Sequence, residues 1–124
     1  MSWVHYQDLI VWQKSMDLVD EIYHLAQLLP KEELFSLSDQ MRRAAVSVPS
    51  NIAEGHGRQT EKEFRQFLSV AKGSLYELET QIHIGIRQNF FSAEQAEAAL
   101  CLCREVGKML TKLTLAPVPL KTEN

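Results

Sequence analysis

The chain has 124 residues, 45% hydrophobic and 23% charged, which excludes a disordered polymer or a fibrous repeat and suffices for one domain with its own core. With 13 Lys and Arg against 16 Asp and Glu the formal charge is −3, so no global field draws the protein to nucleic acid or an anionic membrane, and any such binding must be local. Residues 1–8 hold no basic region followed by an apolar run, and no stretch approaches the ~20 apolar residues of a membrane span, so the expected location is the cytoplasm.

A first helix is predicted over about 6–29, where Leu9, Trp12, Met16, Val19, Tyr23 and Ala26 recur at three- and four-residue steps, as one face of a helix requires. A second row, Val11, Leu18, Ile22, Leu25 and Leu29, widens the apolar arc to about half the circumference, more than one bundle seam needs. Pro30, which lacks an amide hydrogen, stops this helix. A second helix spans about 37–55, capped by Ser36 or Ser38, with the core row Leu37, Met41, Ala44, Ala45, Val48 and Ile52 and an end at Gly55 or Gly57. The third, over about 60–90, opens on Thr60 with Glu63 three residues on, and buries Phe64, Phe67, Leu68, Ala71, Leu75, Leu78, Ile82 and Ile86. The fourth, over about 92–115, repeats the device with Ser92 and Gln95 and buries Ala96, Leu100, Cys103, Val106, Leu110 and Leu113. Pro117 and Pro119 end it, and the tail 116–124 is expected to be loose. No segment alternates with period two, so the fold class is all-α, an antiparallel up-and-down four-helix bundle in a single domain.

Bundles can hold metals through Glu-x-x-His pairs on two helices and single glutamates on the others. Only Glu21 and His24 have that spacing, and the helical wheel points them away from the apolar arc. His5, His56 and His83 fall on separate segments and read as surface or interface residues. Cys101 and Cys103 lie two apart on a helix, their side chains roughly 200° from one another, as reduced packing residues rather than a bridge or a ligand pair. Gly55-His56-Gly57 precedes a helix but lacks the Lys-Ser/Thr and the strand of a phosphate-binding loop. No serine sits in a nucleophile elbow. The expectation is a protein that is not an enzyme and takes no cofactor or metal.

The most unusual stretch runs over 42–55. Arg43, Ser47, Ser50 and Glu54 form one polar stripe, with the core row on one flank and Val46, Pro49 and Ala53 on the other, so both flanks can bury. Pro49 falls inside the helix, deprives the Ala45 carbonyl of its donor and should bend the axis, unless Ser47, Ser50 or Asn51 compensates. The stripe is either a structural polar network, with Arg43 and Glu54 pairing to other helices or subunits, or a surface that recognises a ligand. Between residues 42 and 72 the bases Arg42, Arg43, Arg58, Lys62, Arg65 and Lys72 outnumber Glu54, Glu61 and Glu63, whereas the rest of the chain is acidic. If the turn between helices two and three gathers Arg42, Arg58, Lys62, Arg65 and Lys72, they form a small phosphate-compatible patch.

Residues 43–55, together with Asp8-Leu9 and Val11-Trp12-Gln13 before them and Ala71-Lys72-Gly73-Ser74-Leu75-Tyr76-Glu77-Leu78-Glu79 after, carry a resemblance. The chain resembles the bacterial four-helix bundle proteins first noticed as reading frames in intervening sequences of large-subunit ribosomal RNA genes, over about 6–113. That resemblance implies a homopentameric ring and a family mostly of unknown function. Its relative, the accessory variability determinant of diversity-generating retroelements, binds nucleic acid and a reverse transcriptase through a positive surface. It therefore implies, as a second class of partner, RNA, DNA or a nucleic-acid enzyme. The leading expectation is a non-enzymatic, self-assembling scaffold or adaptor; the alternative is a nucleic-acid-binding accessory protein using the basic patch.

Overall fold

The computed structural model describes residues 5–115, and the tail 116–124 lies outside them. Among the described residues the chain forms α1 (Ile10–Ala26), α2 (Leu37–His56), α3 (Glu61–Arg87) and α4 (Ala93–Leu115), with short 3-10 turns at Tyr6–Asp8 and Lys31–Glu33 and no strand. Each helix packs on the next and α4 closes on α1, with α2 against α3 the most extensive pairing. Cross-links between α3 and α4 run in opposite chain directions, Arg65 meeting Thr114 and Lys72 meeting Thr111, as an up-and-down bundle requires.

The core rows expected for α2, α3 and α4 face inward, with Met41, Ala45, Val48, Ile52, Leu68, Ala71, Leu78, Ile82, Ala96, Val106 and Leu110 fully buried. In α1 the two apolar rows divide. Val11, Leu18, Ile22 and Leu25 of the second fill the centre together with Ala26 of the first, whereas Met16 and Tyr23 of the first are 41% and 45% exposed. Both rows satisfy the helical period, so only the positions of α2 and α4 decide which one points inward. Trp12 and Val19 of the first row are partly buried, on the side of α1 that faces Val46, Pro49 and Ala53 of α2.

The helix ends depart from expectation where local backbone chemistry was hidden. α1 starts at Ile10 rather than near Tyr6, because the His5 ring nitrogen accepts from the Gln7 amide and closes a 3-10 turn first. Neither Ser36 nor Ser38 caps α2 through its side chain; the Glu33 carboxylate accepts the Leu37 amide at 3.3 Å instead. The Thr60 hydroxyl accepts the Glu63 amide, and Ser92 and Gln95 satisfy each other's amides at 2.8 and 3.0 Å. α3 stops at Arg87, short of residue 90, because Asn89 takes a left-handed φ of 62° and the Phe90 amide reaches back to the Gly85 carbonyl. The following Phe91 folds over Gly85, where a Cβ would overlap its ring.

Candidate interaction surfaces

The stripe on α2 divides by depth. Ser47 turns toward α3, its hydroxyl 2.8 Å from that of Ser74, and beside it the Asn51 amide donates to both the Ser47 carbonyl (2.8 Å) and its hydroxyl (2.9 Å). Four residues farther on, Gly55 lets the helices touch, since a Cβ there would stand 2.8 Å from the Phe67 Cβ and 3.3 Å from the Phe64 carbonyl. α2 therefore continues through Gly55 to His56, which is buried (8% exposed) rather than a surface residue. Arg43 and Glu54 stay outside and pair within or just beyond their own helix, with Asp39 at 3.0 Å and Arg58 at 2.8 Å.

Pro49 is buried on the opposite flank, and α2 remains helical through it. Its ring joins Tyr6, Trp12, Met16 and Val46 in an apolar groove of about 350 Å³ between α1 and α2, with the exposed Ser50 at its margin. Tyr6 stands edge-on to Trp12, ring centroids 5.4 Å apart. The Asn51 side chain donates to the Ser47 carbonyl in the turn that contains Pro49, which braces that turn without reaching the Ala45 carbonyl whose donor Pro49 removes.

The basic residues expected at one turn are spread along the bundle. Arg42 sits near the start of α2 and donates to Ser38 at 2.6 Å, about 24 Å by helical rise from Arg58 beyond the other end. The Arg58 guanidinium lies 4.8 Å from the centre of the Phe67 ring while paired to Glu54. Lys62 is exposed on the first turn of α3. Arg65 donates to the Thr114 carbonyl at 2.8 Å and Lys72 to the Thr111 hydroxyl at 2.7 Å, so both join the α3–α4 seam.

That seam holds a second groove, of about 490 Å³, with Tyr76 and Glu79 on the α3 side, Leu75 and Gly107 in its floor and Arg104, Lys108 and Lys112 along α4. Beside it, Cys103 is buried and its thiol is pushed up to about 12 by burial and by the Glu79 charge, whereas Cys101 is exposed. Among the described residues no group of three or more His, Cys, Asp or Glu side chains is placed to hold a metal. No helix among them is long and apolar enough to cross a membrane.

Residues 7–112 match the model of the 23S rRNA-intervening sequence protein family. The chain belongs to that family. Its fold is similar to the crystal structure of a protein of unknown function from the S23 ribosomal protein family of Bacteroides thetaiotaomicron, with a TM-score of 0.80 and 26% identity. That likeness covers 86% of this chain and 100% of the other. No curated protein matches the sequence.

Within the family frame, the motif over 43–55 is the strand of contacts that seats α2 on α3: Ser47, Asn51 and Gly55 recur every fourth residue and all meet α3 or support what does. Sequence reasoning missed their partner Ser74 and the row Arg104, Lys108 and Lys112. The four-residue spacing of that row was a usable signal, masked by the net acidity of the rest of the chain.

Proposed function

We propose that the protein is a non-catalytic, self-assembling bundle that serves as a scaffold or adaptor. One observation carries this: Met16 on α1 and Val46 on α2, which line an apolar groove, remain 41% and 40% exposed, and Tyr23 on the same side of α1 45%, although the bundle has already filled its core largely from the other α1 row. A second copy would remove this surface from water, and the ring of five implied by the family resemblance is one closed way to do so. Sedimentation of the full chain at micromolar concentration should give a mass above 14.2 kDa. A monomer across that range overturns the proposal.

Nucleic-acid binding is the second reading, favoured by Arg58, Lys62 and Arg65 lying within two turns of one another at the α2–α3 end. Against it, Arg58 and Arg65 already hold Glu54 and Glu61. Arg58→Glu/Arg65→Glu should abolish any salt-sensitive RNA or DNA binding if that patch is used; unchanged binding removes it.

A further inference from the structure

We propose that the α3–α4 groove receives the exposed face of α1 from a second copy of this chain, with Lys108 and Lys112 meeting Asp17 and Asp20. The inference rests on self-assembly and names the two surfaces that would meet. On α4, Lys108 and Lys112 are exposed and follow one another by one helical turn along the groove wall. On α1, Asp17 and Asp20 are exposed, also about one turn apart, on the same half of the helix as the exposed Met16 and Tyr23. Neighbours at such spacings are ~5–6 Å apart on either helix, so the two pairs of charges can align.

The apolar parts match as well. Gly107 leaves the groove floor open, with a Cβ there meeting only the Leu75 side chain at 3.4 Å, and Tyr76, 55% exposed, forms the facing wall. An α1 edge that offers Met16 and Tyr23 with Asp17 and Asp20 to one side supplies an apolar filling and an acidic flank for a groove that has an apolar floor and three bases along α4 against the single carboxylate of Glu79 on α3. Within one copy the two surfaces cannot meet, because α1 is held between α2 and α4 while the groove opens between α3 and α4. Their pairing is therefore head-to-tail, the arrangement that generates rings when the rotation closes.

Charge swapping on the full chain tests this, with circular dichroism to verify folding and light scattering or sedimentation to read mass. Lys108→Glu/Lys112→Glu and Asp17→Lys/Asp20→Lys should each weaken assembly by about tenfold or more, since like charges then face each other. The fourfold variant carrying both swaps should assemble again, which surface destabilisation alone would not produce. Gly107→Leu, which fills the floor without altering charge, should also block assembly. If the wild type assembles but both reversals leave its mass unchanged, or if the fourfold variant stays dissociated, the pairing is overturned while self-assembly stands. Loss of binding to a single-stranded RNA oligonucleotide at unchanged mass would assign the groove to nucleic acid and overturn it equally. A wild-type monomer would remove self-assembly itself.

Discussion

Gly55→Ala sets two opposing effects against each other. In a helix interior alanine is favoured over glycine by about 1 kcal/mol, which is an upper bound here because Gly55 lies in the last turn of α2, one residue before its end at His56. The new Cβ, however, would lie 2.8 Å from the Phe67 Cβ, an atom no rotamer change can move, against an ordinary carbon contact of about 3.5 Å. α2 and α3 must then part by about 0.7 Å at this point, loosening the Ser47–Ser74 contact in the same seam. Overpacking of this kind costs about 1–3 kcal/mol, so the net expectation is anything from no gain to a loss of about 2 kcal/mol, or up to roughly 8 °C in Tm. Gly73→Ala is the matched control: it is exposed inside α3, nothing lies within 4 Å of its Cβ position, and it should gain about 0.5–1 kcal/mol. Urea denaturation of both variants at one low protein concentration reads the difference. Equal stabilisation by the two substitutions would refute close approach as the reason for glycine at 55.

Leu18→Ala, at a fully buried position, should cost about 3–4 kcal/mol in denaturant unfolding, whereas Met16→Ala should cost less than about 1 kcal/mol; the reverse order would put the other row of α1 in the core. Ser74→Ala should lose about 1 kcal/mol, and the Ser47→Ala/Ser74→Ala double variant should lose measurably less than the sum, which a double-mutant cycle reports. A thiol reagent at pH 8 should modify Cys101 alone until the protein unfolds, because Cys103 is buried with its thiol pushed up to about 12; two equivalents reacting in the native state would contradict its burial. Since the folded state holds that thiol above its ordinary 9.0, the stability it contributes is complete below pH 9 and is lost as pH rises toward 12, which unfolding curves across that range would register.

Helix count, order and most of the core were legible because helical periodicity is local: Met41, Val48, Ile52, Leu68 and Leu78 repeat on one face whatever lies opposite. The capping residues Thr60 and Ser92 were equally readable, since each acts on amides three residues away. Asn89 was not, because the left-handed turn it adopts is one of several conformations an asparagine accepts.

The candidate surfaces divide along the same line. That residues 43–55 contain a polar stripe between two apolar flanks follows from the order of residues alone. That Ser47 meets Ser74 of α3 while Pro49 lines a groove against α1 required all three helices in place, because Ser74 lies 27 residues away. The basic residues make the point most sharply: the segment excess over 42–72 is a property of the sequence, but tying Arg65 to Thr114 and Lys72 to Thr111 is a product of the α3–α4 contact. By itself the sequence determined four amphipathic helices and a surplus of apolar surface on the first. Only the tertiary structure decided which row of α1 stayed outside, because two rows of equal periodicity are distinguished by where the neighbouring helices stand and by nothing within the helix.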